Sequence, residues 1–298
     1  MFKEYEMRKI KEFIIEKLLF SSALVTIAIT VGIILVLAIE AFRFFSEVSI
    51  IEFFTNTQWT PLFTEKHYGI LPLLSGTLLT SFIAISVALP IGLSISIYLS
   101  EYAPKSFRKT VKPLLELLAA VPTVVYGFFA LIVVTPFLQG IFPNLSGFNS
   151  LSAGIVMGIM IIPFISSLSE DALHAVPYSL REASYGMGAT KLQTAFKVAV
   201  PAASSGIIVS IILAISRAIG ETMIVAIAAG QQPRFTFDPT VPVETITAYI
   251  VQVSLGDVQH GSIEYRTIFA AGITLFAFTF LLNTISYQIR KKYKQQYE

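Results

Sequence analysis

The chain contains no cysteine among its 298 residues, so disulfides, thiolate chemistry and cysteine-ligated metals are excluded. It also lacks a nucleotide-binding P-loop, because no G-x-x-x-x-G-K-[ST] motif occurs and no glycine is followed by lysine. Charged residues make up only 13% of the chain. We therefore expect no enzyme activity, no cofactor and no bound metal, and any energy from ATP must come from another polypeptide.

Hydrophobic residues make up 54% of the chain and the mean hydropathy is +0.73, which excludes a water-soluble domain. A membrane-spanning helix needs ~20 predominantly apolar residues, and six stretches approach that length. They are Leu18–Ile39, Leu73–Leu99, Leu114–Leu138, Leu151–Leu168, Ile207–Ala229 and Thr267–Ile289. The predicted fold class is an all-α membrane protein with six transmembrane helices in a lipid bilayer.

The first apolar stretch follows a basic segment, as in a signal peptide, but it is too long and has no good cleavage site, so we expect it to remain as an anchor. This gives a cytoplasmic N-terminal tail (1–17) and a first transmembrane helix with an external interfacial segment (18–69). A core of five transmembrane helices (70–289) and a cytoplasmic C-terminal tail (290–298) complete the predicted domain organisation.

Orientation follows from the basic residues, because lysine and arginine near span ends are retained on the cytoplasmic side. Of the 21 lysines and arginines, 16 lie in four clusters. The first cluster precedes Leu18, the second lies within 105–112, the third within 179–206, and the fourth follows Ile289. We therefore expect a multi-pass protein of the cell membrane with both termini and segment 179–206 in the cytoplasm. The net charge of +2 reflects this topology and predicts no nucleic-acid partner.

The two longest external connections, 42–68 and 231–266, are longer than the loop of a plain helix hairpin needs to be. Phe42, Phe45, Val48, Ile51 and Phe54 recur at helical spacing and predict a short helix in the outer interface, for either membrane anchoring or partner docking. In the second connection, Val243–Val253 is predicted to form a helix that dips toward the pore mouth.

The fifth span holds a charged pair, Arg217 and Glu221, in an otherwise apolar stretch. An arginine near the bilayer midplane costs ~2.5–3.5 kcal/mol on insertion scales, so it should face a partner or a wet cavity. The i to i+4 spacing predicts both charges on one helix face. Either they form a purely structural ion pair, or the guanidinium binds a phosphate-like oxyanion while Glu221 neutralises it in the absence of the anion.

Prolines and glycines suggest how the spans bend and pack. Kinks rather than breaks are expected at four prolines inside or near spans, namely Pro90, Pro122, Pro136 and Pro163. Gly154 and Gly158 form a GxxxG pattern typical of close helix packing. Thr123 and Tyr126 place two hydroxyl groups beside Pro122, where they are candidates to line the pore.

A polar segment, 179–206, separates the fourth and fifth spans. Ser179 with Glu182 and Thr190 with Gln193 each match an S/T-x-x-E/Q capping box, so two short helices should start there, with Gly186 and Gly188 turning the chain between them. The spacing of Glu182-Ala183, Gly188 and Val198-x-Val200-Pro201 resembles the EAA loop by which ABC importer permeases dock onto their ATPases. Ser184 replaces the usual third alanine, and Val198 and Val200 replace the usual isoleucine and leucine.

Longer runs resemble the PstC family, permease subunits of prokaryotic phosphate ABC importers. They are YGILPLLSGTLLTSF (68–82), YLSEYAP (98–104), VPTVVYGFFAL (121–131), SEDALHAVPYSLREASYGMGAT (169–190) and RAIGETMIVAIAAG (217–230). The resemblance implies a type I ABC importer permease fold with a cytoplasmic coupling loop. It also implies four kinds of partner: phosphate, a second non-identical permease (PstA-like), a dimer of cytoplasmic ATPase subunits (PstB-like) and an external phosphate-binding protein (PstS-like).

The resemblance also assigns residues to roles. It places Arg217, Glu221 and Thr222 on the substrate path or gate, and Glu182, Ala183, Gly188, Val198 and Pro201 at the ATPase. Alternatives that remain open are the sister phosphate permease, a permease for another oxyanion such as molybdate or sulfate, a secondary proton-coupled carrier, and a scaffold or receptor that transports nothing.

Overall fold

The computed structural model describes residues 2–294, which are mostly helical and form no β-strand within that range. The helices are α1 (Phe2–Phe45), α2 (Ile50–Thr55), α3 (Leu71–Ile97), α4 (Lys105–Ala120), α5 (Thr123–Phe129), α6 (Thr135–Gln139), α7 (Ser150–His174), α8 (Tyr178–Gly186), α9 (Lys191–Thr194), α10 (Val200–Ala202), α11 (Ser204–Ile219), α12 (Met223–Ala228), α13 (Ile246–Leu255) and α14 (Ile263–Lys294). Met1 and residues 295–298, the end of the predicted 290–298 tail, lie outside the described residues. Within the described helices, the side chains of residues 2–7, 10 and 289–294 are not described either.

Four of these helices, α1, α3, α7 and α14, are each long and apolar enough to cross a membrane. Two further spans come from bent pairs, one formed by α4 with α5–α6 and the other by α9–α10 with α11. π-Helical turns at Ala130–Val134 and Ala195–Ala199 join α5 to α6 and α9 to α10, and a third, Tyr98–Tyr102, extends α3. Counting each pair as one crossing gives six spans, in agreement with the predicted all-α membrane fold.

The expected kink at Pro122 is a break, so a continuous third span over Leu114–Leu138 was the wrong prediction. α4 ends at Ala120, the chain turns by 84°, and α5 begins at Thr123. Proline has no N–H and forces the preceding residue out of the helical region, and Val121 is indeed extended with ψ 130°. Pro90 and Pro163, in contrast, lie inside unbroken helices.

The fifth span is also discontinuous. A single helix over Ile207–Ala229 was predicted, but α11 ends at Ile219 and α12 begins only at Met223. Gly220 caps α11, and its weak helix propensity favours an end at this position. Glu221 therefore lies beyond the helix that carries Arg217, and the prediction that both charges share one face of one helix is wrong.

The centre of the bundle is the contact between α3 and α7. A Cβ atom added at Gly154 would lie 2.7 Å from Ile83 Cβ, and one added at Gly158 would lie 2.8 Å from the Ala84 carbonyl oxygen. The two glycines thus let the backbones approach closely, as the GxxxG pattern predicted. Around this contact a core of buried apolar side chains joins α3, α5, α7, α11 and α12.

A second, aromatic core closes one end of the bundle. Phe44, Phe53, Trp59 and Tyr68 are buried there and meet edge to face, together with Tyr249 of α13. The predicted short helix exists as α2 and the predicted helix after Val243 exists as α13. Of the apolar face predicted for the first connection, Phe42, Ile51 and Phe54 are exposed, whereas Val48 is buried.

Helix α1 lies at the edge of the bundle and packs mainly against α14, where Leu37 Cδ2 would lie 3.1 Å from a Cβ added at Gly272. Its apolar side chains from Phe13 to Ile39 are mostly exposed. Such a surface needs a hydrocarbon environment, as the predicted anchor does.

We predict that Gly158→Val lowers the free energy of unfolding in detergent by about 1–3 kcal/mol, because added methyl groups overpack the α3–α7 contact. Gly32→Val is the matched control in α1, where a Cβ would meet nothing within 4 Å. Chaotrope-induced unfolding followed by circular dichroism measures both. Equal loss in the two variants would contradict the packing assignment.

Candidate functional site

The charged pair of span five lies at the break between α11 and α12. Arg217 Nη1 donates to Glu221 Oε2 at 2.6 Å. The Glu221 side chain is almost fully buried, with 2% exposed, whereas 36% of the Arg217 side chain remains accessible. The break thus brings the two charges together while leaving part of the guanidinium open.

The second oxygen of Glu221 is held by the backbone of α12. Oε1 accepts from Met223 N at 3.1 Å and from Ile224 N at 3.4 Å, so it satisfies two N–H groups that a helix start leaves free. The Glu221 carbonyl accepts from Thr247 Oγ1 of α13 at 2.6 Å. Glu221 therefore joins α11, α12 and α13.

The open side of Arg217 borders a cavity of about 630 Å³ between α4, α7 and α11. Its walls are mostly apolar and include Pro163, Phe164 and Leu213, and one further carboxylate, Glu116, lines it. Arg217 Nη2 donates one weak hydrogen bond, 3.8 Å long, to Met160 Sδ. Since a guanidinium carries five N–H donors, it retains capacity to bind an anion in addition to Glu221.

The other predicted path residues divide into two groups. Thr222 follows the break directly, and its hydroxyl lies 3.4 Å from the Gly220 carbonyl oxygen. Tyr126 is buried, and its hydroxyl donates to the Leu118 carbonyl at 2.8 Å, across the α4–α5 break. Thr123 is the first residue of α5. The structure thus brings Thr222 to the charged pair, while the Tyr126 hydroxyl stabilises a bend.

The polar segment forms an elbow, defined here as residues 178–203, at the end of the bundle opposite the aromatic core. The predicted capping box at Thr190 and Gln193 is present, with Gln193 N 3.3 Å from Thr190 Oγ1 and Thr190 N 2.9 Å from Gln193 Oε1. The predicted box at Ser179 is wrong, because Pro177 precedes the helix and α8 already starts at Tyr178. Ser179 is thus inside α8, where it cannot cap.

The turn of the elbow depends on one glycine. Gly188 has φ +81°, which L-residues rarely adopt, whereas Gly186 has an ordinary φ. Ser184 Oγ bonds Thr194 Oγ1 at 2.9 Å and links α8 to α9. The departure of Ser184 from the EAA pattern therefore adds a hydrogen bond inside the elbow.

The elbow presents an exposed surface. Glu182, Ala183, Gly188 and Pro201 are exposed, and Val198 is half-buried. Three large apolar side chains are also exposed beside them, namely Met187 at 89%, Leu192 at 59% and Phe196 at 54%. Exposed apolar side chains at the tip of a polar segment are typical of a protein-docking surface.

A buried ion pair that the sequence analysis missed holds the elbow to the bundle. Arg181 Nη2 donates to Glu101 Oε1 at 2.7 Å and Nε to Oε2 at 3.1 Å. The same guanidinium donates to the Val176 carbonyl at 2.7 Å and the Leu173 carbonyl at 2.8 Å. Arg181 thus fastens α8 to the ends of α3 and α7. No local sequence pattern indicates this pair, because the two residues are 80 positions apart.

A second charged cluster lies nearby, between α4 and α7. Glu170 is fully buried, pairs with Arg108, and accepts from Lys112 Nζ at 3.0 Å. Lys112 also pairs with Asp171. Two of the basic residues from which the orientation was predicted therefore also hold the amphipathic helix α4 to the bundle.

The family model described as "Binding-protein-dependent transport system inner membrane component" matches residues 88–295. The chain belongs to this family. Permease subunits of this family are not themselves catalytic, work with ATPase and binding-protein partners, and lie in the membrane as multi-pass proteins.

Curated relatives place this permease among the PstC type. It is 36% identical over 253 residues to the phosphate transport system permease protein PstC of Mesorhizobium japonicum, which covers 78% of the chain and 76% of that protein. It is 36% identical over 261 residues to the probable ABC transporter permease protein YqgH of Bacillus subtilis, covering 87% and 84%. A probable PstC of Methanocaldococcus jannaschii is 30% identical, covering 90% and 92%.

Solved structures confirm the type I ABC importer fold of the permease. A chain from a bacterial alginate ABC transporter in complex with its pentasaccharide-bound periplasmic protein matches with a TM-score of 0.61 and 19% identity, covering 92% of this chain and 95% of that one. A chain of the inward-facing MetNI methionine ABC transporter matches with a TM-score of 0.54 and 20% identity, covering 76% and 94%.

We predict that Glu101→Gln lowers the free energy of unfolding by about 3–5 kcal/mol, because it leaves the Arg181 charge buried without its partner. Glu65→Gln, an exposed carboxylate, is the control and should change it by less than about 0.5 kcal/mol. Replacing both partners, Glu101→Gln with Arg181→Met, should recover part of the loss. Denaturant titration in detergent measures all three, and an additive double variant would count against the pairing.

Proposed function

We propose that this chain is the transmembrane permease subunit of an ATP-driven phosphate importer and forms half of the translocation pathway. The single observation that supports this most directly is the half-open guanidinium of Arg217, held by Glu221 at a break in a span. The PstC relatives support phosphate as the substrate. Phosphate arrives from an external PstS-like binding protein, a PstA-like permease forms the other half of the pathway, and a dimer of PstB-like subunits hydrolyses ATP.

Arg217 and Glu221 act together on the anion. A guanidinium presents a planar fork of N–H donors that matches the oxygens of phosphate, and such charge-assisted hydrogen bonds are about twice as strong as neutral ones. Glu221 supplies the balancing charge when the path is empty. A phosphate ion that reaches the open side of Arg217 competes with Glu221 for the same cation, and Thr222 lies beside this exchange.

The elbow is the docking point for the ATPase, through Glu182, Ala183, Gly188, Val198 and Pro201. This assignment places the elbow and both termini in the cytoplasm and the aromatic core outside, as the basic clusters predicted. It fits the exposed apolar tip formed by Met187, Leu192 and Phe196.

The elbow is also connected to Arg217 by contacts between α7 and α11. Arg181 holds the elbow to α7, and Ser169 Oγ of α7 bonds Ser210 Oγ of α11 at 2.6 Å. A Cβ added at Gly206 would lie 2.4 Å from Ala172 Cβ, so the start of α11 lies directly against α7. Movement of the ATPase is therefore passed to the helix that carries Arg217, and alternates its access between the two sides.

We predict that removing the charge of Arg217 strongly reduces transport without unfolding the protein. Arg217→Gln alone leaves Glu221 unpaired, so the informative variant is Arg217→Gln with Glu221→Gln. Loss of a charged hydrogen-bonding group worth about 1.5–3 kcal/mol should lower phosphate uptake about 10- to 100-fold. Arg43→Gln is the control, and radiolabelled phosphate uptake by the reconstituted complex is the measurement. Normal uptake at normal expression would remove Arg217 from the path.

We also predict that Gly188→Ala uncouples ATP hydrolysis from uptake, because an alanine at φ +81° costs about 1–2 kcal/mol and distorts the elbow. Gly186→Ala is the matched control two residues away, where φ is ordinary and a Cβ meets nothing within 4 Å. The ratio of phosphate imported to ATP hydrolysed should fall only in Gly188→Ala. An unchanged ratio would contradict the docking assignment.

A further inference from the structure

Glu244 is a buried carboxylate that the transport path does not use. It lies between α12 and α13, just before Thr245, the residue that caps α13. Only 2% of it is exposed, and no donor among the described residues reaches its Oε1. Its backbone is fixed, because a Cβ at Gly76 of α3 would lie 2.2 Å from the Glu244 carbonyl oxygen.

This carboxylate borders a cavity of about 340 Å³ at the end of the bundle that carries the aromatic core. The walls come from the two long connections and are largely apolar or aromatic, formed by Trp59, Pro61, Leu62, Phe63, Pro233 and Tyr249. Gln252 and Arg234 also line the cavity, and both are exposed. The volume lies at the lower end of the ~300–1,000 Å³ typical of ligand pockets.

A buried carboxylate without a partner is unusual, because ionised groups inside proteins are normally paired. Burial raises the pKa of Glu244 to about 8, so the isolated subunit holds it largely protonated at neutral pH. Burial also raises the pKa of Tyr249, whose hydroxyl bonds Thr267 Oγ1 at 2.6 Å. Arg234 also lines the cavity, but it forms no ion pair with the Glu244 carboxylate.

We propose that this cavity is a socket for a lysine or arginine side chain of the external binding protein, with the aliphatic stem against the apolar walls and the charged head on Glu244. The inference rests on the proposed function for the identity of that partner. It extends the function by naming the chemistry that the partner must present to this surface.

The shape and charge of the cavity select this occupant. Once ionised, the carboxylate at the buried wall repels a phosphate ion and attracts a cation. A free metal ion would find a single charged ligand, because the other oxygen ligands on the walls are neutral side chains of threonine and glutamine, and no group of three or more His, Cys, Asp or Glu side chains among the described residues could hold a metal ion. Long basic side chains bury their methylene stems along apolar surface and gain cation–π contact with rings such as Trp59 and Tyr249. A single buried anchor of this kind is typical of a binding hot spot.

Binding is then linked to pH. A bound cation favours the ionised carboxylate, so docking releases a proton, and affinity should rise with pH until about 8 and then level off. The other titratable or charged groups that line the cavity are Tyr249 and Arg234. The raised pKa of the Tyr249 phenol keeps it neutral, and arginine side chains are not deprotonated in proteins, so Glu244 is the lining group that changes charge between pH 6 and 8.

The chain is free of cysteine, so a single probe can be introduced at Gln252→Cys on the cavity wall. The experiment measures the rates at which a cationic and an anionic methanethiosulfonate reagent modify this cysteine in the full chain. The ratio of the cationic to the anionic rate should rise about tenfold between pH 6 and pH 9, which is the effect of one nearby charge. Glu244→Gln should remove this pH-dependent gain, and Glu52→Gln, an exposed external carboxylate, should retain it. A preference that is independent of Glu244 overturns the proposal, whether or not the chain transports phosphate.

The second test measures docking of the external binding protein to the reconstituted transporter. Glu244→Gln should weaken docking at least tenfold at pH 8 and remove its pH dependence. Glu52→Gln should leave the docking affinity unchanged, and neither variant should change the basal ATPase rate. If Glu244→Gln leaves docking unaffected, the socket is unused and the proposal fails. If Arg234→Ala strengthens docking at least tenfold, Arg234 itself fills the socket and the proposal also fails. Binding of phosphate ion in the cavity would also overturn it.

Discussion

A helix that breaks inside a membrane leaves backbone N–H and C=O groups without partners, and this constraint organises the whole permease. At the α11–α12 break the Glu221 carboxylate accepts hydrogen bonds from two free N–H groups, and the Thr247 hydroxyl donates to the Glu221 carbonyl oxygen. At the α4–α5 break the Tyr126 hydroxyl reaches the Leu118 carbonyl. At the end of α7 the Arg181 guanidinium takes two more carbonyls. The polar side chains that characterise this chain therefore lie where helices stop.

The same constraint explains why a path residue and a structural residue are difficult to separate here. Glu221 neutralises Arg217 and also caps α12, so the charge that faces the anion is part of the scaffold. Any event that draws Arg217 away from Glu221 acts on α12 and α13 as well. The elbow has the same double character, because the guanidinium that holds it to the bundle also completes the end of α7.

Sequence patterns predicted what depends on local chemistry. The six apolar stretches, the close approach at Gly154 and Gly158, the capping box at Thr190 and the turning role of Gly188 all follow from neighbouring residues, and the structure contains them. The breaks at Val121 and Gly220 were missed because apolar composition continues through them. The Arg181–Glu101 pair and the unpaired Glu244 were missed because only the folded bundle brings their surroundings together.

Helix α1 carries a different consequence. Along the span α1 packs mainly against α14, and its end at Phe44 is held in the aromatic core, so the rest of the helix is free to tilt about that end. The 22 predominantly apolar residues from Leu18 to Ile39 span about 33 Å at 1.5 Å per residue, close to the ~30 Å hydrocarbon thickness of a bilayer. We therefore expect a change in bilayer thickness to affect α1 first. In a thinner membrane α1 would tilt further from the bilayer normal, with little change in the packing of the interior helices.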